Sequence, residues 1–132
     1  MSATDSEIKQ LNELRHGLLA LHKTLLDRQR IWYEREHGRI ESGGQMLQLL
    51  AYDPAFAWLR VLSALIVQID ERLDDKDTPL TSESAKTLLD EARDVTVGQG
   101  GGEEYQRAYS RALQESPDAV IAQSRVARSL GR

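Results

Sequence analysis

The stretch Asp53–Asp75, DPAFAWLRVLSALIVQIDERLDD, constrains this chain more than any other. Leu59, Leu62, Ile66, Ile69 and Leu73 recur at alternating spacings of three and four, which lays one apolar seam along an α-helix. Phe56, Trp58, Val61, Leu65 and Val67 widen the seam until the early turns are apolar on almost every side. Such a rod is stable in water only when several neighbours cover it, so the rest of the chain is expected to supply them. Asp53 is a good N-cap and Pro54 fits the first helical turn, where its missing N–H costs nothing. Together they launch the rod at an angle to whatever precedes it.

Upstream, Ile8, Leu11, Leu14, Leu18, Leu21 and Leu25 form a helical stripe that Leu19 and Leu26 broaden. Arg28 breaks the strict seven-residue register and Trp32 resumes it, beside a second line through His22, Gln29, Tyr33, His37 and Ile40. The spacing predicts one helix, capped by Asp5 or Ser6, running to about His37, roughly 50 Å at 1.5 Å per residue. Gly38 is its natural stop, and residues 1–4 are expected to fray. Ser42 followed by Gln45 has capping-box spacing and starts a two-turn helix carrying Met46, Leu47, Leu49 and Leu50.

Downstream, Thr81 or Ser82 caps a helix with Ala85, Leu88, Leu89, Ala92 and Val95. The Gly-rich run 98–102 reads as a flexible loop. No strand pattern precedes it and no Gly-Lys-Ser/Thr follows, so it lacks the parts of a phosphate cradle. Tyr105, Ala108, Tyr109, Ala112 and Leu113 stripe the next helix, and Ser116-Pro117-Asp118 opens the last, with Val120, Ile121, Ala127 and Leu130. No run of alternating β-branched residues appears. The expected fold is all-α: a single-domain helical bundle of four to five helices over 1–132, with one long N-terminal helix and a central apolar helix.

A chain of 132 residues is long enough for one real core. It has no cysteine, which removes disulfides, thiolate metal sites and cysteine nucleophiles and fits a reducing cytoplasm. The start lacks the basic end and apolar run of a signal peptide. The longest apolar run, Val61 to Ile69, is broken by Ser63 and Gln68 and is too short to span a bilayer, so no membrane partner is expected. The net charge of −4 is concentrated in residues 70–94, which argues against a surface built for a polyanion.

The phrases YEREHGRI, LLAYDPAFAWLRVLSALIVQID and YSRALQESPDAVIAQ resemble a group of small, uncharacterised bacterial proteins of helical character. The resemblance covers most of the chain. It implies a bacterial, one-domain helical protein and brings no activity, cofactor or site residue with it. The group has proline where Val61 stands here, which implies a central helix that runs straighter or packs differently in this chain.

Three patterns bear on chemistry. Glu-x-x-His occurs twice, as Glu13–His16 and Glu34–His37, and in dimetal bundles this spacing points two ligands at one metal pair. Both copies lie on the same helix, about 30 Å apart along its axis, so they reach one site only across an antiparallel dimer. Glu34 and His37 are the candidate metal ligands. The second pattern is a polar set, Glu34, His37, Asp70 and Arg60, which an antiparallel packing of the long and central helices would bring together as a pocket or a structural network. The third is arginine: Arg28, Arg35 and Arg39 near the end of the long helix, and Arg107, Arg111, Arg125, Arg128 and Arg132 in the last two. No helix-turn-helix or stacking platform accompanies them.

No serine–histidine–acid set sits at a nucleophile turn, and no cofactor motif is present. The expected function is a non-enzymatic interaction or structural module in the cytoplasm, acting on a protein partner or on itself as a homodimer. Trp32, Trp58, Tyr105 and Tyr109 are candidate contact residues, with core packing as the other reading of each and the favoured one for Trp58 on the central helix. The alternatives are a metal-binding bundle and a nucleic-acid accessory protein.

Overall fold

A computed structural model describes residues 1–131, and every regular element in them is helical. The helices are α1 (Asp5–His37), α2 (Gly43–Tyr52), a 3-10 helix (Pro54–Leu59), α3 (Arg60–Asp74), α4 (Ser82–Thr96), α5 (Glu103–Glu115) and α6 (Pro117–Ser129). The all-α class is as expected, but six α-helices form where four to five were expected. The two cap-and-proline breaks read from the sequence are both present: Asp53 accepts from the Ala55 N–H and opens the 3-10 helix, and Ser116 accepts from the Ala119 N–H and opens α6.

The bundle is organised around α1 rather than around α3. Thirty-three residues give α1 enough length to pack on α3, α4, α5, α6 and the 3-10 helix. Leu11, Leu14, Leu18, Leu21 and Leu25 are fully buried along it. The apolar rod read from Asp53 to Asp75 is divided instead. Its first two turns are 3-10, burying Phe56, Trp58 and Leu59, and the α-helix starts at Arg60. Leu62, Leu65, Ile66 and Ile69 are buried, Leu73 is only half-buried, and Val67 is 51 % exposed. The rod therefore has a solvent face after all, because α2 leaves it at 78° and covers only its start.

α1 and α3 run antiparallel: Arg15 meets Asp70 at 3.1 Å near one end, and Gln29 meets Trp58 at the other. α6 also runs antiparallel to α1, with Gln10 donating to the Ser129 carbonyl and Gly17 lying against Val126. These two helices approach closely because Gly17 has no side chain; a Cβ there would stand 3.3 Å from Val126 Cγ2. α6 buries the small residues Ala119, Ala122 and Ala127 with Val126, and leaves Val120 and Ile121 outside.

The N-terminus is tied down rather than frayed. Ala3 N–H donates to the Leu80 carbonyl and Ser82 N–H to the Met1 carbonyl. The cap of α1 is Thr4, in a reciprocal capping box with Glu7. The Thr4 N–H and the Ser82 hydroxyl both donate to the Glu7 carboxylate, which lowers its pKa. Gly38 ends α1 with φ +86°, a backbone conformation that favours glycine. Among the described residues no single helix is long and apolar enough to cross a membrane.

Candidate functional site

The aromatic residues gather where the C-terminal half of α1 meets the 3-10 helix and α5. Trp32 stacks on Trp58 with ring centroids 6.2 Å apart, Trp58 continues to Tyr105, and Tyr105 stacks on Tyr109 at 5.5 Å. Each polar handle in this column is used. Trp58 Nε1 donates to Gln29 Oε1 at 2.7 Å, and Trp32 Nε1 to Glu115 Oε1 at 2.9 Å. The hydroxyls of Tyr105 and Tyr109 donate to the carbonyls of Val95 and Thr96, the last turn of α4. Burial raises the pKa of both tyrosines, that of Tyr109 to about 12, so they remain donors at any physiological pH.

All four aromatics are therefore interior: Trp58 is in the core as expected, and Trp32, Tyr105 and Tyr109, the other contact candidates, are enclosed with it. Trp32 is 7 % exposed, Trp58 5 %, and both tyrosines less. Their role is to seal α5 onto α4 and α1. A groove of about 340 Å³ opens above the two tryptophans, walled by Tyr33 and His37 on α1 and by Arg107 and Arg111 on α5. The Arg111 guanidinium lies 4.0 Å above the Trp32 ring, where the ring quadrupole attracts a cation. Its Nε donates to Glu115, and the bonds from Trp32 and Arg111 hold the Glu115 carboxyl below its ordinary pKa. The groove's aromatic face is thus occupied by the chain's own arginine.

The polar set read from the sequence does not converge. Asp70 pairs with Arg15, not with an arginine near Glu34. Arg60 does not meet Glu34; it donates to the carbonyls of Leu50 and Ala51 at 3.2 and 2.7 Å, closing the end of α2. Arg15 and Glu34 are nineteen residues apart on one helix, about 28 Å. Glu34 Oε2 accepts from the Ile40 N–H at 2.8 Å, folding the loop after α1 back onto the helix. His37 is exposed and stacks on Tyr33 at 4.3 Å. Among the described residues no group of three or more His, Asp or Glu side chains could hold a metal ion.

Of the arginines, Arg28, Arg107 and Arg111 lie within ion-pair distance of Glu115, Glu103 and Glu115 respectively. Arg93 donates to the Leu130 carbonyl and ties α4 to the end of α6. Arg125 and Arg128 share a cleft with Glu13 and His16 between α1 and α6. Arg132 lies outside the described residues. The cations are thus dispersed over separate faces.

The surface feature that sequence reading passed over is α2. It buries Leu49 and half-buries Met46 and Leu50 against the 3-10 helix, while Leu47 is 69 % exposed and Tyr52 78 %. No residue of GGQMLQLLAY is charged. That signal was present in the sequence, but at ten residues it also fits a helix buried on all sides, and only the packing shows which face is open. No known protein family, no curated protein and no solved structure matches this chain.

Proposed function

We propose that this chain is a non-enzymatic interaction module that presents α2 to a protein partner. One observation carries the reading: Leu47 and Tyr52 stand in solvent on an uncharged helix whose opposite side is packed. Leu47 and Tyr52 are five residues apart, about 140° around the helix, so they edge its open side, with Gly44, Gln48 and Ala51 between them. Tyr52 supplies a large ring with a polar tip, the type of side chain that anchors interfaces. The acids, amides and aromatic hydroxyls around the bundle's aromatic column are engaged in holding helices together, which supports a structural role for them.

The test is a photo-crosslinking amino acid placed at Tyr52, with the same amino acid at exposed Val120 as the control. Irradiation in the protein's own cells is expected to give a covalent protein adduct from position 52 and none from position 120. No adduct from position 52 would remove the reading.

A further inference from the structure

We propose that the groove above the two tryptophans binds a carboxylate and an ammonium joined by an apolar chain, as in an ω-amino acid or a lysine at the carboxyl terminus of a peptide. The site lies on a different surface from α2 and does not depend on the reading of that helix.

The aromatic column's own bonds leave groups of the groove without a partner. Gln29 is 6 % exposed and lines it. Its Oε1 accepts from Trp58 Nε1, which fixes the amide's orientation and turns Nε2 away from the indole. Nε2 has no acceptor among the described residues, where Arg28 Nε is the one fully enclosed side-chain nitrogen or oxygen left unpaired. Gln29 Nε2 is therefore reached from outside, and the groove is the opening beside it. An amide donor held this deep calls for an acceptor from elsewhere.

Arg111 adds donors at the same end. Its guanidinium lies over Trp32, one turn from Gln29 on α1, and its Nε is bonded to Glu115. The group is thus held in place while its Nη atoms have no acceptor among the described residues. Restrained guanidinium donors next to an amide N–H pair suit a carboxylate.

The other end has the opposite sign. α1 and α5 are antiparallel, since Arg28 lies near Glu115 and Trp32 under Arg111. Glu36 stands seven residues beyond Gln29, and Glu104 seven residues before Arg111. Seven residues are two turns, about 10 Å, so both acids line the far end of the groove. Both are exposed, and neither forms a salt bridge among the described residues. Arg107, between the ends, spends its charge on Glu103 at 2.6 Å, and the His37 ring lies against Tyr33. The intervening walls are Tyr33, Ala55, Trp58 and Ala108.

A simple carboxylate is repelled by the two acids, and a simple amine by the guanidinium. A molecule with one charge at each end meets its complement at both. The separation of the ends excludes the adjacent charges of glycine and calls for a chain of lysine length. A groove of about 340 Å³ has room for it.

NMR of the isotope-labelled chain, titrated with ε-aminocaproate, tests this. Saturable binding is expected with a dissociation constant near a millimolar, the strength a ligand of so few atoms reaches. The Gln29 side-chain amide and the Trp58 indole N–H should move, while the exposed Gln48 amide on α2 stays. Caproate, hexylamine and glycine should each bind at least about tenfold more weakly, because each lacks one charge or the chain between them. Arg111→Gln, and Glu36→Gln with Glu104→Gln, should each weaken ε-aminocaproate by about tenfold. The two glutamates are exposed, so the thermal melt of their variant should not change and the loss reads as a lost contact. Nα-acetyl-lysine distinguishes the sources: tighter binding than ε-aminocaproate assigns the site to a peptide's terminal lysine, weaker binding to a free ω-amino acid. The absence of saturable shifts overturns the inference. So does caproate or hexylamine binding as tightly as ε-aminocaproate, or unchanged binding by the doubly substituted chain.

Discussion

Trp58 Nε1 donates to Gln29 Oε1 at 2.7 Å in the interior of the bundle, and this bond joins the 3-10 helix to α1. Gln29 is 6 % exposed, one of the few polar residues enclosed by the core. A buried indole N–H without a partner costs its desolvation, so Gln29→Leu should destabilise the chain by about 1–3 kcal/mol. Trp58→Phe and Gln29→Leu together should cost less than the sum of the two, by more than about 0.5 kcal/mol. Urea melts of the four proteins give the coupling; strict additivity would show that the two residues do not act as a pair.

Gly17 sets the spacing of α1 and α6. Its missing Cβ would fall 3.3 Å from Val126 Cγ2, and Val126 is fully buried. Gly17→Leu improves helix propensity by a fraction of a kcal/mol but forces extra carbon into a filled interface, which costs about 1–3 kcal/mol. A net loss of stability is expected in a urea melt. A gain would mean that the two helices stand farther apart.

His22 makes stability depend on pH. It lies at the edge of the core on α1, and burial lowers its pKa below the ordinary 6.5. The unfolded chain therefore takes up a proton at a pH where the folded chain does not, and stability rises with pH through that interval. His22's contribution is complete above the unfolded value and is lost as pH falls through the lowered folded value. Thermal melts between about pH 7 and about pH 5 should show the loss, and His22→Gln should flatten it. An equal slope in the variant would assign the dependence to other groups.

Glu115 acts in a lower range. Its carboxylate takes the Trp32 N–H and the Arg111 guanidinium, so its folded pKa lies below the unfolded 4.5. The stability it gives is present above about 4.5 and lost as pH falls through the folded value. Glu115→Gln should therefore be less stable than the unaltered chain at neutral pH, with the gap closing in acid. Trp32 emission should change in the variant at neutral pH, since its N–H loses a charged acceptor.

α3 separates what burial requires from what the apolar pattern suggests. Ile69→Ala should cost about 2–5 kcal/mol, because Ile69 is fully enclosed. Val67→Ala, two residues away on the open face, should change stability by no more than about 0.5 kcal/mol. Chemical melts of the pair distinguish this packing from one in which α3 is covered all round.

Much of the fold was legible along the chain because its signals are local. The Ser42, Asp53, Thr81 and Ser116 caps and the Gly38 stop act within one turn of themselves, and the structure places the helix ends at those residues. The Leu11–Leu25 seam fixed which face of α1 is inside, because helical periodicity maps directly onto one side of a cylinder. The cap at Thr4 was missed because Asp5 and Ser6 are equally good cap residues, and the choice depends on the strand-like pairing of residues 1–3 with residues 80–82, far away in sequence.

Which polar groups meet was not a local property. Periodicity states that Trp58, Tyr105 and Tyr109 are apolar enough to be buried, but not that α4 ends beneath their hydroxyls or that Gln29 waits for the indole. Those pairings come from the order in which five helices pack around α1, where a shift of one turn moves every contact by about 5.4 Å. The sequence alone determined the helical stretches, the caps at Ser42, Asp53, Thr81 and Ser116, and the inner face of the longest helix. Tertiary structure decided that the aromatic column is interior, that Arg60 closes α2 instead of meeting Glu34, and that Leu47 and Tyr52 remain in water. The reason is physical: a helix start is settled by hydrogen bonds within a few residues, whereas burial is settled by what the other helices leave uncovered.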